Sequence, residues 1–187
     1  FEKYKRTYDL HLKVILEQEI FIEFLEESKI INYLEKISGF KYQLGDLVVR
    51  KTYLKEGYTS WHRDTYLNKG KLVGRNPPLI KLILYPKLNN NCVQLKLKPG
   101  THLNFNKNRY FDLFKNILKP QISIKTSNEE ALIFNSSIYH KTSPPENNGS
   151  FRVIYNFCAK DQIKDFTNSP IINEYRKNLR NKKNIYF

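Results

Sequence analysis

Ser60-Trp61-His62-Arg63-Asp64-Thr65 is the stretch on which the reading of this chain turns. On an extended backbone successive side chains alternate faces, so His62 and Asp64 point to one side and Arg63 to the other. A histidine and a carboxylate on one face can hold one metal ion. A distant His140 supplies the third member of a two-histidine, one-carboxylate face, with open coordination positions opposite. Twelve residues later Arg152 offers a planar cationic fork. A bare His-x-Asp is most often an ordinary surface pair, and it is the four positions together that give the pattern weight.

Those residue types suit a particular chemistry. Imidazole and carboxylate fit Fe(II), and a free coordination face lets a bidentate co-substrate and dioxygen bind side by side. A 2-oxo acid meets that need, because its keto-carboxylate end chelates iron while a second carboxylate requires a fixed donor fork such as Arg152.

The surrounding words carry a resemblance. Asn89-Asn90-Asn91-Cys92-Val93-Gln94-Leu95-Lys96-Leu97-Lys98-Pro99-Gly100-Thr101-His102 is similar to a segment of the phytanoyl-CoA hydroxylase-like Fe(II)/2-oxoglutarate dioxygenases that ends in Pro-Gly-Ser-His, with Thr101 in place of Ser. Asn128-Glu129-Glu130-Ala131-Leu132-Ile133-Phe134-Asn135, then Tyr139-His140-Lys141-Thr142-Ser143 and Phe151-Arg152-Val153-Ile154-Tyr155-Asn156-Phe157, resembles the end of the same family's pattern. Asn or Cys92 replaces a usual Gly, and Glu129-Glu130 replaces Gly-Asp; both changes fall in turns. The resemblance spans roughly positions 47 to 157. It implies that His62, Asp64 and His140 bind iron, that Arg152 binds the distal carboxylate of 2-oxoglutarate, and that Thr142 assists it. It implies Fe(II), 2-oxoglutarate and O2 as metal, co-substrate and oxidant, and hydroxylation as the outcome, since halogenating members carry a small residue in place of Asp64. Alkyl-base demethylases carry a second Arg where this chain has Cys158, and prolyl hydroxylases usually carry Lys where it has Arg152. The family pattern leaves His102 outside the metal shell.

The 187 residues fit one domain, with 1–40 a helical layer, 42–158 a barrel core and 159–187 a basic tail. From 8 to 38, Leu12, Ile15, Leu16, Ile20 and Phe24 recur at three- and four-residue steps among glutamates, which predicts helix. His11, at its start, reads as a surface or capping residue. Further on, short β-branched and aromatic runs are punctuated by Gly, Pro and Asn: 47–54, 79–85, 93–97, 121–125 and 131–135, with turns at 55–57, 68–70 and 144–149. The predicted fold class is mainly β with flanking helices, a double-stranded β-helix or jelly roll of the cupin-like kind. Tyr110 to Leu118 reads as a short helical insertion. Lys81, inside an apolar strand, reads equally as a snorkelling side chain or as a second contact to 2-oxoglutarate. Tyr53 and Tyr85 are candidate co-substrate contacts, although strand tyrosines more often belong to the core.

A formal charge of +14 favours anionic partners. A Lys- and Asn-heavy composition accounts for it more simply than nucleic-acid binding does, because the basic residues are dispersed along the chain, and an acidic small-molecule substrate stays open. Cys92 and Cys158 form no disulfide framework or metal spacing, so a reducing cytoplasm is expected. No apolar run is long enough for a membrane span. A chain without methionine that begins at Phe1 is expected to continue upstream. The tail, with Tyr175, Leu179 and Ile185 at loosely helical spacing, is expected to cover the barrel or meet a second subunit. Three readings compete with the oxygenase: a barrel that has lost catalysis and serves as a binding or structural module, a cupin that uses no 2-oxo acid, and an oxygenase directed at nucleic acid or protein.

Overall fold

The computed structural model describes residues 2–4, 7–10, 14, 15, 17–53, 59–68, 71–86, 95–126, 130–143 and 150–162. His11, the turns at 55–57 and 144–149, most of the 68–70 turn, Cys92 with its Asn-rich neighbours, Asn128-Glu129 and the tail beyond 162 lie outside the described residues.

Two antiparallel sheets and a short ribbon carry the fold. The large sheet runs β1-β2-β3-β11-β6-β9, the small one β10-β7-β8 and the ribbon β4-β5. In chain order the strands are β1 (Glu2–Tyr4), β2 (Thr7–Asp9), β3 (Tyr42–Thr52), β4 (Tyr66–Asn68), β5 (Lys71–Val73), β6 (Ile80–Leu84), β7 (Leu95–Lys98), β8 (Ile122–Ile124), β9 (Ala131–Asn135), β10 (Tyr139–Thr142) and β11 (Ser150–Ala159). The helices are α1 (Ile20–Ser28), α2 (Ile30–Ser38) and α3 (Arg109–Ile117).

The helical run expected over 8–38 is shorter and divided. Thr7–Asp9 is a strand, paired to β3 through Tyr8↔Lys51 and Asp9↔Arg50. Arg50 clamps Asp9 through Nε at 2.6 Å and Nη2 at 2.7 Å, which favours extended pairing over helix there. Lys29 takes a left-handed conformation (φ 51°) between α1 and α2, and Gly39 (φ 74°) ends α2 with its N–H on the Glu35 carbonyl. Both helices cover the outer face of the large sheet, where Ile22, Leu25, Ile31 and Leu34 pack with Leu44, Leu47, Tyr155 and Phe157. Fully burying an aliphatic or aromatic side chain of this size is worth about 1.5–3 kcal/mol.

A second cluster, Ile83, Tyr85, Leu95, Leu97, Phe134 and Ile154, draws on β6, β7, β9 and β11 and so joins the two sheets across their inner faces. The register sets out that inner face in rows. Asp46, Asn156, Lys81 and Phe134 are mutual neighbours in one row, and Val48, Ile154, Ile83 and Leu132 form the next. In the third, Arg152 faces Arg50. Tyr85 follows Leu84, the partner of Val153, and so lies at the same level.

Candidate metal centre

His62 reaches its place as an isolated bridge and not within a regular strand. Its N–H donates to the His140 carbonyl (3.1 Å), and the His140 N–H returns the bond to the His62 carbonyl (3.0 Å). Hydrogen bonds from Thr59 N to Thr142 O and from Asp64 N to Ser136 O extend this lacing of the segment against β10 and the turn before it. The lacing brings the three candidate ligands together: one ligand atom each from His62, Asp64 and His140 lies within 4.8 Å of the others. Both histidine Nε2 atoms are 3.8 Å from an Asp64 carboxylate oxygen.

The tautomers suit ligation. His62 Nδ1 lies 2.7 Å from the Ser60 carbonyl and His140 Nδ1 lies 2.9 Å from the Ile138 carbonyl. A carbonyl only accepts, so each Nδ1 carries the proton and each Nε2 presents its lone pair to the centre. The His140 Nε2 is buried without a hydrogen-bond partner among the described residues. Burial, stronger than the pull of Asp64, draws the His140 pKa down to about 3, which keeps the ring neutral. Burial opposes ionisation of Asp64, but the Lys81 ammonium, paired with it, holds its pKa at about 2. Lys81 Nζ lies 2.6 Å from Asp64 Oδ2, so the lysine left between two readings is placed on the carboxylate ligand itself. Two imidazole lone pairs and an ionised carboxylate converging on one point fit a divalent cation.

Two levels along the inner face, Arg152 is 2% exposed, and its Nε and Nη2 have no partner among the described residues. Burial draws its pKa down to about 10, where it remains a cation at neutral pH. Tyr85 is buried within electrostatic reach of it. Thr142 lies on β10, two residues beyond His140, with its Oγ1 3.1 Å from that of Thr59. Tyr53 is placed elsewhere. It follows Thr52 on the opposite strand parity from Arg50, is 43% exposed, and meets Tyr8 edge-on with Lys51 over its ring.

Sequence reasoning gave Arg63 no task beyond pointing away from the metal face. The structure makes it the anchor of the segment. Its Nε and Nη2 grip Asp112 on α3 at 2.7 and 3.1 Å, Nη1 donates to the carbonyls of Thr101 (2.7 Å) and Ser137 (2.6 Å), and Nη2 also donates to that of Asn104. Its guanidinium lies 4.2 Å from the Tyr139 ring centroid. The available signal was Asp112, the lone acidic residue from 65 to 128 in a chain rich in lysine. Thr101 belongs to the same support: its hydroxyl donates to Lys98 O (2.7 Å) and accepts from Tyr139 N (2.9 Å). His102 is not one of the converging residues.

No protein-family model matches this sequence, and no curated protein matches it. Solved structures do match its fold. The non-heme alpha-ketoglutarate-dependent epimerase SnoN from nogalamycin biosynthesis aligns with a TM-score of 0.64 at 11% identity, over 82% of this chain and 62% of its own. HygX from Streptomyces hygroscopicus, solved with nickel, 2-oxoglutarate and hygromycin B bound, aligns with a TM-score of 0.61 at 11% identity, over 83% and 71%. An oxidoreductase of the 2OG-Fe(II) oxygenase family from Burkholderia pseudomallei aligns at 0.53 and 9% identity, over 75% and 57%. The chain thus spans about three-fifths of the first of these. At such identity the shared property is the fold, a mainly antiparallel β architecture with few helices.

Proposed function

We propose that this chain is an Fe(II)- and 2-oxoglutarate-dependent oxygenase of the phytanoyl-CoA hydroxylase-like kind, one jelly-roll domain that hydroxylates a small or carrier-linked substrate, with anionic substrates favoured by its charge. The observation that carries the reading is the pairing of two features along one inner face: the convergent His62, Asp64 and His140, and a buried Arg152 with two donors that have no partner among the described residues. The first is a site for a cation and the second for an anion, and 2-oxoglutarate is a co-substrate that needs both. The solved relatives of the same fold include one with nickel and 2-oxoglutarate bound.

In this reading His62, Asp64 and His140 hold the metal. When bound, Fe(II) supplies the redox chemistry that couples decarboxylation of 2-oxoglutarate to oxidation of a substrate C–H bond by dioxygen. The chain's own part is positioning and exclusion of water. Lys81 holds one Asp64 oxygen and leaves the other for the metal. Phe134 stands edge-on to His140 at 5.2 Å between centroids and fixes the ring plane. Arg152, with Thr142 and Tyr85, orients the distal carboxylate, and the apolar row through Ile154 and Ile83 keeps the middle of the cleft dry. The carboxylate of Asp64 supports hydroxylation.

An anaerobic absorption titration with Fe(II) and then 2-oxoglutarate tests this. A visible charge-transfer band that needs both additions, and that His140→Ala and Arg152→Ala abolish, is the expected result. Folded wild-type protein that gives no band refutes the proposal and leaves a barrel used for binding.

A further inference from the structure

The helix α3 is built inside out. Its inward residues are polar: Asp112, 3% exposed, on Arg63, and Asn116, 2% exposed, whose Nδ2 donates to Asp112 O. Lys98 secures the C-terminal end from below, with Nζ 2.7 Å from Asn116 O and 2.6 Å from Ile117 O, and the Asn108 side chain caps the N-terminal end. The large apolar residues face out. Tyr110 is 84% exposed, Phe114 75% and Leu118 93%, with Phe111, Leu113 and Ile117 also exposed. At 100° per residue these six fill an arc of about 160° opposite Asp112 and Asn116. A surface helix ordinarily turns its apolar stripe inward, so a polar anchor beneath an exposed aromatic face marks an interaction surface.

Charge identifies the occupant. From 65 to 128 the chain has twelve Lys and Arg, and its lone acid, Asp112, is consumed by Arg63. Lys115 lies exposed at the edge of the apolar face, and Lys107 and Lys119 lie exposed just before and just after the helix. We propose that α3 docks on an anionic lipid bilayer, its Phe, Tyr, Leu and Ile side chains entering the headgroup boundary and these lysines meeting the headgroups. A second copy would set the same lysines against their own kind. The residues after 162 are no better matched, with Lys164, Arg176, Lys177, Arg180, Lys182 and Lys183 against Asp165 and Glu174. A single-stranded nucleic acid stacks on aromatic faces, whereas half of this face is the aliphatic Leu113, Ile117 and Leu118. Docking is peripheral: among the described residues no helix is long and apolar enough to cross a membrane.

Flotation of the full chain with phosphatidylcholine vesicles, alone or mixed with phosphatidylserine, tests the proposal. Wild type is expected to float with the mixed vesicles and not with the neutral ones. Phe111→Ser/Phe114→Ser and Lys115→Glu/Lys119→Glu should each weaken binding at least about tenfold. These positions are exposed, so far-UV circular dichroism and the Fe(II) titration should stay unchanged, which separates this test from that of the oxygenase reading. Four results overturn the proposal: no binding by folded wild type; equal binding by the double-Phe variant; oligonucleotide binding without vesicle binding; or a lipid-free protein in which a Phe114→Cys thiol resists alkylation, because the chain or a second copy then already covers the face.

Discussion

Replacing Arg63 with alanine should be the most damaging single change outside the hydrophobic core. Arg63 and Asp112 side chains are 4% and 5% exposed, so water screens their pairing little. Removing one partner of a buried ion pair costs about 3–5 kcal/mol, because the remaining charge is left uncompensated. The carbonyls of Thr101, Ser137 and Asn104 lose a charged donor as well. Asn104 is exposed and can turn to water, so the other two carry most of the further cost, about 1–2 kcal/mol together. A total of about 4–7 kcal/mol stands against the 5–15 kcal/mol typical of a whole domain. Asp112→Asn keeps the carbonyl bonds of Arg63 and should cost less, about 2–3 kcal/mol. Urea unfolding followed both by the single Trp61 and by far-UV circular dichroism measures both variants. Because Arg63 lies between two candidate ligands, metal affinity should fall at least about tenfold in Arg63→Ala where it is still folded. A stability loss below about 1 kcal/mol with unchanged metal affinity would refute the anchoring role.

Lys81→Met removes a cation from beside Asp64; metal-free protein should then bind Fe(II) more tightly, by about tenfold, in a competition titration with a chelating dye. The pH dependence of the metal-free protein follows from His140, whose folded pKa of about 3 lies below its unfolded value of 6.5. The unfolded chain binds the extra proton between those values, so this contribution is complete above about pH 6.5 and is lost as pH falls toward 3, with a slope near 1.4 kcal/mol per unit mid-window; in urea titrations across that range His140→Gln should flatten the slope. Thr101→Val removes a fully buried hydroxyl that both donates and accepts, and thermal denaturation should show a loss of about 1–3 kcal/mol. In the Fe(II) titration, 2-oxobutyrate, which lacks the distal carboxylate, should bind at least about a hundredfold more weakly than 2-oxoglutarate in wild type, and Arg152→Met should narrow that gap.

The convergence of His62, Asp64 and His140 was legible in the sequence because coordination chemistry admits few residue types, although an isolated bridge and not a regular strand brings His62 to that point. The strand content was legible for a related reason, since β9 and β6 read as apolar runs between breakers. What stayed hidden depended on long-range pairing. Tyr53 had the composition of a site residue, but its face follows from the register of β3 against β11, which no local pattern reveals. Lys81 read two ways because its partner is seventeen positions away in sequence and 2.6 Å away in space. The strand at Thr7–Asp9 is too short to have a period of its own and exists by virtue of Arg50. In α3 the helical period was visible, but its direction was not: apolar periodicity says that a helix has two faces, and only Arg63, Lys98 and their carbonyl partners decide that the polar one turns inward.

The layering of the inner face bears on which ligand the cleft can take. Along β11 the inward residues run Asn156, Ile154, Arg152, and across the sheet these levels are joined by Asp46 and Lys81, then Val48 and Ile83, then Arg50 and Tyr85. Adjacent levels are about 6.8 Å apart, so the polar levels stand about 13 Å apart along the backbone with an aliphatic layer between them. The metal ligands approach from the opposite sheet, with Asp64 held at the Lys81 end. Lys81 is engaged by Asp64, so on the proposed reading a ligand between these levels would meet the bound metal at one end, Arg152 at the other and hydrocarbon in the middle. An aliphatic dicarboxylate satisfies all three layers at once, whereas a uniformly polar one would strand its central groups against Ile154 and Ile83, and a monocarboxylate would leave the Arg152 donors unpaired in a buried site. Either shortfall costs the desolvation of a polar group without return. On the proposed reading, selectivity for 2-oxoglutarate resides in the order of layers along one strand as well as in the candidate metal ligands.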